Sequence, residues 1–143
     1  MHIAYANHPT REQQMAALQR DDGTPICMLN LLKFREKAVY KDGRATTLTG
    51  REAYTLYGRA MSKMVADAGG KLIYSGRVRG LLIGEIDGQW DSVGIMMYPS
   101  FKAMAAITSS PGYAEIHVHR DAGLEGQVLI ETKSVDQPTS FSG

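Results

Sequence analysis

Trp90-Asp91-Ser92-Val93-Gly94-Ile95-Met96-Met97-Tyr98-Pro99-Ser100 joins an apolar, partly β-branched run to an aromatic end. An Asp87-Gly88 turn signal precedes it, and Pro99 leads out of it into a helix start at Ser100. It reads as a buried, central strand. Just before it, Leu72, Tyr74, Gly76 and Val78 alternate with Lys71, Ser75 and Arg77, the pattern of a strand with one solvated side. Arg79-Gly80 marks a bulge, after which Leu81-Leu82-Ile83 is expected to resume that strand. The short turn makes the two strands antiparallel neighbours.

Further back, Pro25 to Phe34 is a nearly continuous apolar run broken by Asn30. Cys27, Leu29 and Leu31 fall on one face, and Met28, Asn30, Leu32 and Phe34 on the other. Apolarity on both faces again requires a central strand. Between these strands, Thr49 and Glu52 form a capping box. Ala53, Leu56, Tyr57, Ala60, Met61, Met64, Val65 and Ala68 then recur at helical steps until Gly69-Gly70 ends the helix. Thr10 and Gln13 form another capping box, which opens a short outer helix over about residues 10 to 20 with a weak stripe of Met15, Ala17 and Leu18. Residues 35 to 48 are polar and carry the turn signal Lys41-Asp42-Gly43-Arg44, a loop of the kind found at the mouth of a site. Ser100 caps a helix with Phe101, Met104 and Ala105. Ser110-Pro111 starts another that runs to about Asp121 and is closed by Gly123, and Val128-Leu129-Ile130 make a last strand.

With the leading helix set aside, the order is strand, helix, strand, strand, helix, strand. This is the ferredoxin-like βαββαβ pattern of the α+β class, a four-stranded antiparallel sheet with spatial order 4-1-3-2. One domain is expected over residues 1–135, with a disordered tail over 136–143. Helices cover only one face of such a sheet. The face carrying Met28, Leu32, Phe34 and part of the Trp90 strand is expected to be left open and to be buried by a second copy of the chain.

The 143 residues are 43% hydrophobic, enough for a core, and 16 basic residues nearly cancel 15 acidic ones. This charge balance lacks the footprint of a nucleic-acid or anionic-membrane binder. No apolar run approaches the ~20 residues of a membrane span, and the first residues lack the pattern of a signal peptide, so a cytoplasmic protein is expected. Cys27, the lone cysteine, reads as a structural thiol.

The set Met28-Leu29-Asn30-Leu31-Leu32-Lys33-Phe34, Tyr57 ahead of Gly69-Gly70 and Gly76, Tyr98-Pro99-Ser100, and Tyr113 with Arg120 resembles an uncharacterised bacterial family of the dimeric α+β barrel superfamily. The resemblance spans roughly residues 25 to 133. It implies a protomer whose sheet pairs with its twin to close a barrel. It implies no single reaction, because the relatives include cofactor-free monooxygenases, lactone isomerases, haem-handling proteins and ligand binders.

Seven residues are the candidates for chemistry. Asn30 is an amide on a buried strand that could orient a carbonyl or enolate oxygen, or else bond a neighbouring loop. Trp90 offers a flat wall, and Asp91 a base, or an ion-paired turn residue. Tyr113, His117 and Arg120 share one helical face, His117 with a pKa suited to proton transfer and Arg120 suited to a carboxylate, although a solvated helix face explains the same spacing. Tyr57 adds an aromatic wall or core packing. His117 and His119 diverge on a helix, so no metal site is expected. His8 falls on an N-terminal end expected to be mobile and completes no set. No glycine-rich phosphate loop follows a strand, and no cofactor is expected. Two functions stand open: a homodimeric, cofactor-independent enzyme of monooxygenase or isomerase type acting on a small hydrophobic carbonyl or acid, and a non-catalytic small-ligand-binding or structural dimer.

Overall fold

The computed structural model describes residues 8–86 and 88–135. The tail expected to be disordered and the Asp87 half of the turn signal lie outside the described residues. The elements are α1 (Arg11–Arg20), β1 (Ile26–Phe34), α2 (Gly50–Asp67), β2 (Lys71–Arg77), β3 (Ser92–Tyr98), α3 (Phe101–Thr108), α4 (Pro111–Gly123) and β4 (Leu124–Thr132). The strands form one antiparallel sheet in the order β2-β3-β1-β4. This is the expected ferredoxin-like α+β fold with an added N-terminal helix.

Local chemistry sets the helix starts. The hydroxyl of Thr10 accepts from the Gln13 amide at 3.1 Å while the Gln13 side chain accepts from the Thr10 amide at 2.9 Å. Thr49 and Glu52 repeat the pair at 3.1 and 2.9 Å, and each box satisfies two otherwise orphaned N–H groups. Ser100 and Ser110 cap α3 and α4, the latter with Pro111 at its first turn. Gly69 ends α2 at φ 92°, a conformation that side-chain-bearing residues avoid. Ile26, Met28, Tyr57, Met61, Val65, Tyr98 and Ile107 form the main core between sheet and helices. Among the described residues no helix is long and apolar enough to cross a membrane.

Four expectations need correction. The face of β1 that carries Met28, Asn30 and Leu32 is the one the helices cover, since Met28 packs in the core with α2. The open face instead carries Cys27, Leu29 and Leu31 beside Met97, Ile95 and Val93 of β3. Both faces of the strand are apolar, so alternation alone does not say which one receives the helices. Secondly, Leu81-Leu82-Ile83 does not resume β2. The last rung is the Val78 amide on the Asp91 carbonyl at 2.9 Å, and beyond it Leu82 and Ile83 are 95% and 88% exposed in a loop. Thirdly, the last strand starts earlier than Val128. Helix α4 closes at Gly123, as expected, and runs straight into β4, whose first residue is Leu124. Lastly, Trp90 and Asp91 precede β3 rather than starting it.

Candidate functional site

A cavity of about 840 Å³ lies between the helix-facing side of β1 and β4 and the helices. Met28, Met61, Phe101 and Met104 supply much of its apolar lining, and α1 covers it through Ala17 and Leu18. Helix α1 buries only Ala17. It is held over the cavity by polar ties at its C-terminal end: Arg20 to Glu131 at 2.9 Å, and the Asp21 carboxylate accepting from the Lys102 amide of α3 at 3.0 Å.

One wall is polar, and its bonds have a fixed direction. Arg120 is only 9% exposed. It donates to the Gln127 side-chain oxygen at 2.5 Å, Gln127 donates to the Asn30 side-chain oxygen at 2.6 Å, and Asn30 donates to the carbonyls of Met28 and Gly94, each at 3.3 Å. Because a guanidinium has no acceptor, the Gln127 oxygen must face Arg120, and that choice fixes both amides in turn. Next to this chain the hydroxyls of Tyr57 and Tyr113 lie 3.4 Å apart. Burial pushes the Tyr57 phenol well above its ordinary pKa, with the neighbouring Tyr113 adding to the rise. Burial also raises Tyr98, which lines the cavity, and lifts Tyr54 to about 12. Tyr57 and Tyr98 therefore stay neutral and able to donate.

Beside Arg120, Asp121 is 8% exposed and gathers groups from three segments. Its carboxylate lies 3.1 Å from Arg120, 3.3 Å from His117 Nδ1, 3.7 Å from Lys41 Nζ and 3.8 Å from His8 Nε2. His117 stacks on Tyr113 with ring centroids 5.9 Å apart.

The structure thus brings Asn30, Tyr57, Tyr113 and Arg120 together on one cavity. His117 stands next to that group without lining the cavity, its imidazole turned to Asp121. Trp90 is buried and lines no part of it. Asp91 sits in a separate, more open groove of about 600 Å³ in which Lys33, Arg35 and Arg51 face Asp91, Glu36 and Glu125. One Asp91 oxygen accepts from the Phe34 amide at 2.8 Å and lies 3.8 Å from Lys33. This ties the end of β1, where its register with β4 shifts. Asp91→Ala is expected to cost about 1 kcal/mol in a urea melt through the lost amide acceptor and to leave ligand binding in the cavity unchanged.

Gln127 and Asp121 escape the sequence reading, and His8, set aside there as completing no set, joins the groups around Asp121. Gln127 and Glu131 lie on the helix-facing side of β4, a pattern hidden when that strand is started too late. His8 precedes the first helix and belongs to no periodic pattern, yet it lines the cavity. The loop over residues 35 to 48 lines none of it. It straps α4 instead, with Val39 bonded to the Ala122 carbonyl at 3.0 Å and the Tyr40 hydroxyl 2.7 Å from His119 Nδ1. Burial, reinforced by Arg44, lowers the pKa of His119. Among the described residues no three His, Cys, Asp or Glu side chains converge as metal ligands.

Sheet order and helix placement define a ferredoxin-like α+β protein, and its helix side holds a ligand-sized cavity with one polar wall. More narrowly, the chain belongs to the family described as Domain of unknown function (DUF1330), whose model matches residues 43–133. It is similar to the solved structure of a protein of unknown function from Rhodopseudomonas palustris, 37% identical over 91% of this chain and 97% of that one, with a TM-score of 0.80. The methylated form of that protein matches at 38% identity over 96% and 100% of the two chains, TM-score 0.84. The fold is shared with SnoaB from Streptomyces nogalater, a cofactor-independent oxygenase, at 12% identity over 82% and 99% of the chains and a TM-score of 0.52. Comparison with curated proteins gave no match.

Proposed function

We propose that this protein is a small cytoplasmic, homodimeric enzyme that takes a largely apolar organic molecule into the cavity by a carbonyl or acidic oxygen and acts on it without a cofactor, as an oxygenase or isomerase. The observation that carries this reading is the array of N–H and O–H donors closing one side of an apolar cavity of about 840 Å³. Donors preorganised in a water-poor site stabilise charge that develops on an oxygen, as in formation of an enolate. Gln127, oriented by Arg120, together with Tyr57 and Tyr113 supplies those donors, and the neutral Tyr57 phenol suits that role better than the role of base. For the proton itself, His8 reaches the cavity, and His117 stands beside Tyr113 with its Nδ1 held by Asp121. Asp91 has no part in this scheme. The fold shared with a cofactor-independent oxygenase is compatible with the reading and does not establish it.

Absence of His117 and Asp91 from the cavity lining favours the second reading, a non-catalytic binder. Native mass spectrometry of the purified protein, followed by assay of whatever molecule copurifies, separates the two. Ala105, on α3, lines the cavity, and Ala105→Phe is expected to abolish retention of that molecule in a protein that still folds. Turnover is expected to fall by about 100-fold or more in His8→Ala or His117→Ala, the usual contribution of a proton-transfer group. Full retention by Ala105→Phe would place the ligand elsewhere. Unchanged turnover in both histidine variants would leave binding without the proposed proton carriers.

A further inference from the structure

We infer that the cavity selects uncharged oxygen compounds, a ketone, quinone or phenol in place of a carboxylate, and that Asp121 sets this selection by neutralising Arg120. The inference rests on the cavity being the ligand site, as proposed above. Each arginine at the cavity is already matched by a carboxylate. Arg120 lies 3.1 Å from Asp121, and Arg20 lies 2.9 Å from Glu131. Arg120 and Asp121 are both buried, so solvent and salt screen their attraction little. Lys41 also approaches Asp121, but its side chain is largely in solvent, where its charge is dissipated.

Hydrogen-bond geometry leads to the same result. A carboxylate is gripped well by two parallel N–H groups of one guanidinium. The two terminal nitrogens of Arg120 already hold different acceptors, Asp121 and Gln127. Downstream, Asn30 gives its amide nitrogen to two backbone carbonyls and its oxygen to Gln127. A ligand therefore meets phenol hydroxyls, one further N–H of Gln127 and a remaining lone pair on the Asn30 oxygen. That mixed set of donors and acceptors matches a hydroxyl or ketone. An entering carboxylate would lose its water, find both lining arginines already paired, and face Glu131.

The test is calorimetric titration with a matched pair of probes, acetylnaphthalene and naphthoate, against the wild-type protein, Asp121→Asn and Arg120→Gln. The wild type is expected to bind the ketone roughly 100-fold more tightly than the carboxylate, the scale of an unfavourable buried charge contact. Asp121→Asn unmasks Arg120 and is expected to reduce that ratio at least about tenfold by strengthening naphthoate, a change that loss of fold would not produce. Arg120→Gln gives an independent reading if Asp121→Asn does not fold: naphthoate binding stays as weak as in the wild type, whereas an anion-catching Arg120 predicts its further loss. Wild-type preference for naphthoate, or an unchanged ratio in folded Asp121→Asn, overturns the inference alone. Failure of both probes to bind the wild type, with Ala105→Phe still retaining the copurifying molecule, overturns the cavity reading and this inference with it.

Discussion

Gly123→Ala is expected to destabilise the protein by about 3 kcal/mol and to lower its melting temperature by roughly 10 °C for a chain of this size. Conformational freedom is not the reason, because Gly123 is absent from the glycines with positive φ. The reason is close approach. A Cβ on Gly123 would run into the Gly50 carbonyl oxygen and the Tyr54 amide nitrogen, both backbone atoms of the first turns of α2. Backbone cannot swing aside as a flexible side chain can. Gly50 is similarly hemmed in by the Arg35 carbonyl, and the Arg35 amide bonds the Gly123 carbonyl at 2.8 Å. The chain after β1, the start of α2 and the end of α4 therefore meet with no room for a methyl group. Arg120 and Asp121 sit within one turn of this junction, so the same substitution is expected to weaken ligand retention. Gly58, inside α2, supplies the contrast, because a Cβ there would meet no atom within 4 Å. Gly58→Ala is expected to stabilise by up to about 1 kcal/mol through helix propensity. Thermal and urea melts of the two variants check both signs, and equal effects would refute close approach as the cause.

The same distinction, between local pattern and the meeting of distant segments, accounts for what could be read from the sequence. The capping boxes at Thr10 and Thr49 are local devices, visible as residue pairs three apart, and both form. Strand order follows from the apolarity of β1 and β3 on both faces together with the handedness of crossovers. That same two-faced apolarity conceals which face of β1 meets the helices, hence the misassigned Met28 and Leu32. Leu81 to Ile83 has the composition of a strand but lacks a neighbour to pair with, since β3 begins opposite Arg77. At the cavity, Asn30, Tyr57, Tyr113 and Arg120 stood out as polar or aromatic residues in apolar or periodic surroundings. Asp121 did not, because its significance comes from Lys41, His8 and His117, which reach it from separate parts of the chain. Its hold on Arg120 turns an apparent carboxylate-binding arginine into a neutral wall.

Ile95→Asp is expected to convert the proposed homodimer into a folded monomer. Ile95 lies on β3, an inner strand, on the face the helices leave open. It pairs with Leu29 of β1 and Tyr74 of β2, and Leu29 pairs in turn with Ile130 of β4. Leu31, Val93 and Val128 extend this apolar surface along the three strands β1, β3 and β4. Tyr74 and Ile130 are exposed in the isolated protomer. Such a continuous apolar face is a natural interface for a second copy, and a twofold contact repeats every substitution. One aspartate would therefore place two unpaired carboxylates in the interface, each costing several kcal/mol on desolvation. The dissociation constant is expected to rise by about 1,000-fold or more. Light scattering across a concentration series measures it, and a monomeric wild type at micromolar concentration would refute the homodimer itself. The substitution points away from the core, so the far-ultraviolet circular dichroism is expected to match that of the wild type. The cavity lies on the opposite side of the sheet, lined within one protomer by β1, β4 and the helices. Retention of the copurifying molecule by the Ile95→Asp monomer is therefore expected, and its loss would mean that the second copy completes the site.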